Sequence, residues 1–264
     1  MFRQPLAAVV AAGGTGELYS LSPPEHLEVV RTVVEEAAGR MPVIAGTGFN
    51  TAIGAALARQ AADCGASGIL AFPPYYPAPE EDGVVSYYRA IGAATPLGLL
   101  IYSRDWFHPG AALVERLAGI PTLIAWKDGQ GDMRRLQILR RQVGDRLHWI
   151  GGAGDDLVPA YYALGIRAFT SSIANVSPEI AMALHVAGSA GDTATLTRLM
   201  SEYVVPIYAL RARRKGYEVA VMKELMNMLG LTGGSVRPPL VPLRPEELTE
   251  LRALLPHWQK AVAV

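Results

Sequence analysis

Short, uninterrupted apolar segments recur along the first two thirds of the chain, and segments with helical spacing of apolar residues separate them. Segments of this kind are typical of strands that are buried on both faces of a parallel sheet. We predict seven strands, each followed by a helix, near Leu6–Ala12, Pro42–Gly46, Gly68–Phe72, Leu97–Tyr102, Leu123–Lys127, Leu147–Gly151 and Ile166–Thr170. Repeated βαβ units predict an α/β fold, and the (β/α)8 TIM barrel is the form that suits this length.

Local sequence marks where three of the helices begin. Ser22-Pro23-Pro24-Glu25 has the spacing of a capping box with prolines in the first turn, and Ser177-Pro178-Glu179 begins another helix in the same way. Asn50 and Thr51 are suitable caps for a third helix.

The pattern changes after the helix predicted near Ile180–Val186. From Asp192 onward the chain is predicted to form two helices, a Gly- and Pro-rich stretch from Gly230 to Pro242, and a last helix from about Pro245. Because no strand is predicted there, we assign residues 1–190 to a barrel domain and residues 191–264 to a helical extension packed on it.

Composition narrows the class of protein. Lys and Arg total 24, as do Asp and Glu, so the neutral chain lacks the basic surface of a nucleic-acid or anionic-membrane binder. Half of the residues are hydrophobic, which predicts a well-buried globule. With Cys64 as its single cysteine, no leader pattern and no apolar run long enough to span a bilayer, the chain is expected to be cytoplasmic. We interpret one small basic cluster as a solvated helix face or helix C-terminus: Arg211, Arg213, Arg214 and Lys215.

Lys127 is the first candidate for chemistry, because functional residues of parallel α/β folds lie at the carboxyl ends of strands. It is one of four lysines in the chain, and it ends the apolar strand near Leu123–Lys127. Burial disfavours the ammonium form, so a lysine here would have the nucleophilic amine that a Schiff-base enzyme needs. A lysine that simply pairs with Asp128 is equally compatible with the sequence.

Tyr102 and Arg104 lie at the end of the preceding strand. Tyr102 is expected near Lys127, where a phenol can transfer protons, although a buried tyrosine with a satisfied hydroxyl is the commoner case. Arg104 is suited to hold a carboxylate, or else to pair with its neighbour Asp105.

The segment Gly13–Glu17 follows the first strand, and its small residues allow backbone N–H groups to face an anion. It is not a dinucleotide loop, because Tyr19 stands where the third glycine of that motif belongs. The sequence also lacks a Walker A motif and a G-x-S-x-G elbow. The histidines show no metal-ligand spacing, so we predict no metal: His26, His108, His148, His185 and His257.

These residues in this order resemble the dihydrodipicolinate synthase / N-acetylneuraminate lyase superfamily of class I aldolase-like barrels. Within it, the resemblance is greater to the 5-dehydro-4-deoxyglucarate dehydratase family. The motifs that carry it are Ala11–Glu17, Pro42–Gly48, Pro73–Tyr75, Leu100–Asp105, Trp126–Gly129, Arg213–Tyr217 and Val236–Leu240. The resemblance extends from about Leu6 to the C-terminus.

The resemblance implies roles for individual residues. Lys127 would condense with the ketone of a 2-oxo acid, Tyr102 and Thr15 would transfer protons, and Gly14, Thr15 and Gly16 would hold the adjacent carboxylate. A covalent Schiff base then needs no cofactor. Gly14 replaces a threonine of the synthases, which disfavours a synthase.

Several polar residues are candidates for contacts with the rest of the substrate. Arg104, Ser172 and Asn175 are candidates for the distal carboxylate or hydroxyls, although Ser171, Ser172 and Asn175 are equally suited to capping a helix. Tyr76 matches a tyrosine that in the synthases reaches a neighbouring subunit, and Ser103 stands where asparagine is common.

The implied activity is dehydration and decarboxylation of 5-dehydro-4-deoxy-D-glucarate to 2,5-dioxopentanoate, water and carbon dioxide, in a homotetramer that takes a small-molecule 2-oxo sugar acid. One alternative is a 2-oxo acid aldolase or synthase-like enzyme that releases or uses pyruvate. Another is a non-catalytic sugar-acid binding protein. Since members of the family normally begin with one more strand and helix, we expect the barrel to lack its first β/α unit and to be open between its first and seventh strands.

Overall fold

The structure is a computed structural model that describes residues 5–75 and 79–262, with side chains as far as residue 259. Its strands are β1 Val9–Ala11, β2 Val43–Phe49, β3 Gly68–Pro74, β4 Gly98–Ser103, β5 Leu123–Asp128 and β6 His148–Gly151. Its α-helices are α1 Pro23–Ala37, α2 Thr51–Asp63, α3 Glu81–Ala93, α4 Ala111–Leu117, α5 Met133–Val143, α6 Val158–Ala163, α7 Pro178–Ala190, α8 Thr193–Leu199, α9 Val205–Arg211, α10 Tyr217–Met228 and α11 Pro245–Val262.

The six strands form one parallel sheet in the order β1 to β6, so each strand pairs with the next along the chain. A helix covers each connection, as parallel pairing requires. Ile69, Leu99 and Trp126 on the inner strands are fully buried. The first six predicted strands and the α/β fold class are therefore confirmed.

The seventh predicted strand, Ile166–Thr170, is wrong within the described residues. Only Phe169 forms an isolated bridge there, and Arg167 and Ala168 are both exposed, so the segment lacks the buried run of a central strand. Its backbone groups bond locally instead: the Ile166 N–H donates to Tyr161 O, and the Tyr162 hydroxyl donates to Arg167 O. The expected eight-stranded barrel without its first β/α unit stays a prediction.

The predicted helix starts are confirmed. Ile53 N–H donates to the Asn50 side chain at 2.9 Å, and Ile180 N–H donates to Ser177 Oγ at 3.3 Å. Glu25 Oε2 accepts from the Ser22 N–H at 2.9 Å, which is the glutamate half of the capping box. These bonds satisfy N–H groups that a helix terminus leaves without partners.

The chain after Asp192 is helical, as predicted. The stretch α8 to α9 is continuous through a π-helical turn, Met200–Val204, and Pro206 is the second residue of α9. Because proline has no N–H to donate, it removes one helical bond and favours such an irregular turn. No described helix is long and apolar enough to cross a membrane.

The described chain divides into two compact units. The sheet unit is Ala7–Ala153, and the helical unit comprises the residues from Gly154 onward with the short segment 5–6. The division lies before α6 because α6 packs on α7 and α7 on α8. The assignment of residues 1–190 as a catalytic domain and 191–264 as an extension concerns roles, and it stays a prediction.

Candidate active site

Tyr102 and Lys127 lie side by side at the carboxyl ends of β4 and β5. They are register partners in the parallel ladder, so both side chains project from the same face of the sheet. The Lys127 Nζ lies 3.7 Å from the centroid of the Tyr102 ring. Both residues are buried, with 8% and 4% of their surfaces exposed for Lys127 and Tyr102. The structure therefore brings the two main sequence candidates into contact.

The Lys127 amine forms no ion pair with a carboxylate of the described residues. The Asp128 carboxylate accepts instead from the backbone N–H groups of Gln130 and Gly131, at 3.1 and 3.2 Å. Burial lowers the pKa of Lys127 to about 7, and the positive charge of Arg104 adds to the effect. A pKa near 7 leaves a large fraction of the amine unprotonated at neutral pH, which is the form that attacks a carbonyl.

The Tyr102 hydroxyl is held by two hydrogen bonds. It donates to Gly152 O at 3.1 Å and accepts from Arg104 Nη1 at 3.0 Å. Burial raises the pKa of Tyr102, and the Arg104 guanidinium opposes this shift. Tyr102 is thus a neutral phenol whose oxygen faces a permanent positive charge.

Two glycines give this pair its space. A Cβ added to Gly152 would lie 2.5 Å from Lys127 Cγ and 2.8 Å from Asp128 O. A Cβ on Gly129 would lie 2.6 Å from Ser103 O and 3.0 Å from Tyr102 Cζ. Since real Cβ atoms do not approach so closely, any larger residue would displace the lysine or the tyrosine.

The loop after β1 holds three more candidates, Gly14, Thr15 and Gly16. Thr15 and Gly16 are exposed in a tight turn, and no hydrogen bond joins the Thr15 hydroxyl to Tyr102 in the described part of the chain. An added Cβ on Gly14 would lie 3.8 Å from the Phe72 ring. Phe72 in turn meets Tyr102 edge to face at 5.3 Å. The Phe72 ring therefore lies next to both the glycine loop and Tyr102. The sequence alone did not identify Phe72 as a residue of the site.

Ser172 and Asn175 lie in a network of the helical unit. The Ser172 N–H and hydroxyl both donate to Asp155 Oδ2 at 3.1 Å, and Arg211 Nη1 donates to the same hydroxyl at 2.7 Å. Asn175 Nδ2 donates to Ser172 O at 3.0 Å. Local bonding therefore occupies the Ser172 hydroxyl.

Asp155 and Tyr208 complete this network, and the sequence analysis missed both. Asp155 is fully buried, and its Oδ2 accepts from the Tyr208 hydroxyl at 2.9 Å. The Asp155 backbone N–H donates to the Tyr208 hydroxyl oxygen at 2.6 Å. The Arg211 guanidinium lies 4.1 Å from the Tyr208 ring centroid. The i, i+3 spacing of Tyr208 and Arg211 on a predicted helix was the sequence signal that could have placed these two side chains together. Arg211 ends α9, as the helix C-terminus interpretation expected, and in addition bonds to Ser172.

The remaining candidates from the sequence are Ser103, Tyr76 and the histidines. Ser103 donates its hydroxyl to Lys127 O at 3.3 Å, so it bridges β4 and β5. Tyr76 lies outside the described residues. Among the residues that are described, no three His, Cys, Asp or Glu side chains are grouped as metal ligands.

The fold and the site together define a class: an α/β enzyme with a buried amine and a phenol at the carboxyl ends of adjacent parallel strands. Residues 2–258 match the model of the dihydrodipicolinate synthetase family, and the chain belongs to that family. Its solved structural relatives place the parallel sheet among TIM-barrel folds.

Sequence relatives share this membership. The chain is 38% identical over 253 residues to a probable 5-dehydro-4-deoxyglucarate dehydratase of Bradyrhizobium diazoefficiens, covering 95% of this chain and 81% of the relative. It is 39% identical over 254 residues to the protein of the same name from Xanthomonas campestris pv. campestris, covering 95% and 83%. The resemblance found in the sequence is confirmed, and the chain is an enzyme with lyase activity.

Solved structures agree. Dihydrodipicolinate synthase from Oceanobacillus iheyensis superposes with a TM-score of 0.92 at 32% identity, covering 98% of this chain and 87% of that one. The synthase from Bacillus clausii also gives 0.92, at 29% identity, covering 98% and 88%.

Proposed function

We propose that this chain dehydrates and decarboxylates 5-dehydro-4-deoxy-D-glucarate to 2,5-dioxopentanoate, water and carbon dioxide through a Schiff base on Lys127. The observation that carries the proposal is the buried Lys127 amine, which has no carboxylate partner in the described chain and lies 3.7 Å from the Tyr102 ring centroid. The relatives named as dehydratases for this substrate support the choice of reaction.

The first stage joins the lysine to the substrate. The lone pair of the unprotonated Lys127 amine attacks the ketone carbon, and the carbonyl oxygen takes up a proton to give a carbinolamine. Loss of this oxygen as water leaves an iminium, C=N⁺, between the substrate and Nζ. Tyr102 and Thr15 are the proposed proton carriers, and Tyr102 lies beside the amine.

The second stage removes the β-hydroxyl. The iminium withdraws electrons, so the neighbouring CH₂ loses a proton, and the C–H electron pair forms an enamine as the iminium pair moves to nitrogen. The enamine pair then expels the β-hydroxyl, which leaves as water after protonation. The product of this stage is a conjugated iminium.

The third stage releases carbon dioxide. The bond between the distal carboxylate and its carbon breaks, and its electron pair moves through the conjugated chain to the iminium nitrogen. The carbon that lost carbon dioxide keeps its hydroxyl as an enol, and tautomerisation makes this the aldehyde. Water hydrolyses the imine, which returns the Lys127 amine and completes the balance of one water and one carbon dioxide released.

Binding roles follow from the same proposal. Gly14, Thr15 and Gly16 would hold the carboxylate next to the ketone by backbone N–H groups and one hydroxyl. Arg104, Ser172 and Asn175 are the proposed contacts for the distal end. Of these, Arg104 has a side chain that is 33% exposed, whereas the Ser172 hydroxyl is engaged by Asp155 and Arg211.

The experiment is incubation of the full chain with 5-dehydro-4-deoxy-D-glucarate, with carbon dioxide and 2,5-dioxopentanoate measured by isotope release and NMR. A second arm adds borohydride with the substrate and locates the adduct by mass spectrometry. We expect both products and an adduct on Lys127, and Lys127→Met should lose all three.

Other outcomes select the alternatives. Pyruvate without carbon dioxide would contradict the dehydratase and favour the aldolase. Saturable binding of the sugar acid with no adduct would contradict the Schiff base and favour a binding protein. A homotetramer, expected from the resemblance, stays a prediction for analytical ultracentrifugation.

A further inference from the structure

Arg104 contacts the reacting pair directly. Its Nη1 donates to the Tyr102 hydroxyl at 3.0 Å, and its guanidinium carbon lies 5.9 Å from the centroid of the same ring. Its Nε lies 3.7 Å from Asp105 Oδ1, and the side chain is 33% exposed. Arg104 is therefore oriented by a neighbour on one side and bonded to the phenol on the other.

This arrangement acts on Tyr102. The phenol accepts from Arg104 and donates to Gly152 O, so both its proton and one lone pair have fixed directions. A charged donor on the oxygen favours the phenolate, which is the form that takes a proton from carbon. Without Arg104 the phenol would keep its bond to Gly152 O and lose that stabilisation.

The same guanidinium acts on Lys127. Lys127 Nζ lies over the Tyr102 ring, so the amine and the guanidinium are both adjacent to one side chain. A second positive charge there is disfavoured, and Arg104 stays charged at all relevant pH. Repulsion from Arg104 lowers the pKa of Lys127 in addition to burial.

We propose that Arg104 is a positioning residue that fixes the Tyr102 hydroxyl for proton transfer and holds the Lys127 amine in its unprotonated form. This inference rests on the proposed Schiff-base function. It gives Arg104 a role in every step that uses Lys127 or Tyr102, in addition to any contact with the distal carboxylate.

The other groups around the amine are few. Asp105 and Asp128 carry negative charges that oppose Arg104, and both raise the pKa of Tyr102. On the β6 side, Lys127 pairs in register with Ile150, and Gly152 lies against its side chain, so that side adds no charge. Arg104 is thus the positive charge acting on the amine from the β4 side.

The test uses pyruvate as a 2-oxo acid probe with the full chain, so that it does not depend on the sugar diacid. Borohydride trapping across pH measures adduct formation on Lys127, and NMR in D₂O measures exchange of the pyruvate methyl protons. The variants are Arg104→Met and Arg104→Lys, with Arg116→Met as an exposed arginine control.

In Arg104→Met we expect the midpoint of the adduct profile to move to higher pH and methyl exchange to fall by about tenfold or more. Arg104→Lys should restore the midpoint because it keeps the charge, and should restore exchange only in part because ammonium lacks the fork geometry. Arg116→Met should match the wild type in both. Equal thermal midpoints for the variants would show that folding is not the cause.

Unchanged midpoint and unchanged exchange in Arg104→Met would overturn the inference, and so would a wild type that forms no pyruvate adduct. The proposed function fails separately: a wild type that traps pyruvate but does not convert the sugar diacid contradicts the dehydratase and leaves the role of Arg104 to be decided by the variants.

Discussion

Lys127 in the sheet unit and Asp155 in the helical unit are both buried ionisable side chains, and the chain surrounds them in opposite ways. Three donor groups meet Asp155 Oδ2: the N–H and hydroxyl of Ser172 and the hydroxyl of Tyr208. Lys127 has an aromatic ring beneath it and no carboxylate partner within the described residues. Removal of a charge from water is costly, and hydrogen bonds offset that cost for Asp155 alone.

The difference separates two uses of a buried charge. The Asp155 carboxylate holds the turn Asp155–Leu157 to Ser172 and to Tyr208 of α9, so its function in the fold is structural. Among the described residues the Lys127 amine forms no ion pair, and its lowered pKa keeps it available as a nucleophile. A buried ionisable group without partners is therefore the better candidate for chemistry.

The largest expected effect is on Lys127 itself. Lys127→Met should abolish the borohydride adduct and reduce turnover on the order of 10³-fold or more, since Lys127 supplies the amine of the proposed imine. Its thermal midpoint should equal or exceed that of the wild type, because a buried amine is replaced by an apolar side chain of similar length. Lys215→Met, at an exposed lysine, is the matched control and should keep full activity. If Lys127→Met keeps its turnover, Lys127 is not the reactive group and the contrast with Asp155 is contradicted.

Gly152 lies against Lys127 and Gly154 lies against Tyr208 of the Asp155 network, so the same Gly→Ala change at each position compares the two regions. In Gly152→Ala the new methyl group would overlap Lys127 Cγ and lie 2.8 Å from Asp128 O, so turnover should fall by about tenfold to a hundredfold, more than any loss of folded protein accounts for. In Gly154→Ala it would lie 2.7 Å from Tyr208 Cε1, so the thermal midpoint should fall by several degrees. Both variants are measured for kcat and for thermal unfolding. If the lost activity of Gly152→Ala is fully explained by unfolding, the proposed difference between the surroundings of Lys127 and Asp155 is contradicted.

The pH dependence of adduct formation gives a smaller effect. Because only the unprotonated amine attacks and the pKa of Lys127 is about 7, the wild-type rate should rise about tenfold from pH 5 to pH 6 and level off above pH 7. The pKa is lower in the folded state than in the unfolded chain, so the unfolded state binds more protons between about pH 7 and pH 10. Stability from this group therefore rises with pH in that window. Denaturant unfolding of the wild type and Lys127→Met at pH 7 and pH 9 should show this slope in the wild type alone.

The smallest effect on activity is expected in the helical unit. Tyr208→Phe removes the donor to Asp155 Oδ2 and the acceptor for Asp155 N–H, which should cost about 1–3 kcal/mol of unfolding free energy. The adduct on Lys127 should form at the wild-type rate with pyruvate as the probe. Thermal unfolding and borohydride trapping measure the two quantities on the same sample. A loss of adduct formation with unchanged stability would assign Asp155 to chemistry and contradict its structural role.

Much of the sheet unit could be predicted, because strands buried on both faces leave continuous apolar runs and helices leave a different period. The error at Ile166–Thr170 has a physical cause. That segment is apolar enough for a strand, yet the Tyr162 hydroxyl and the end of α6 take up its backbone groups. A short apolar segment forms a strand only if another strand pairs with it. That partner is distant in sequence, so the local pattern carries no information about it.

The candidate site also contains residues that the sequence predicts and residues that only the structure identifies. The sequence predicts Lys127 and Tyr102 because each ends an apolar strand, and such positions converge in parallel sheets. Phe72, Gly152, Asp155 and Tyr208 were missed because they are ordinary core or loop residues until the fold brings them to a charge. Ser172 was proposed as a substrate contact, and its engagement by Asp155 and Arg211 was not visible in the sequence.

The sequence by itself determined the order of the first six strands with their helices and the caps of three helices, and it predicted the amine and the phenol, since all of these depend on local residue type and spacing. The tertiary structure decided which buried ionisable group receives hydrogen bonds. It set Lys127 on the Tyr102 ring, directed Arg104 to the Tyr102 hydroxyl and enclosed Asp155 with donors. A pKa depends on desolvation and on charges a few ångströms away, and those distances exist only after the chain has folded.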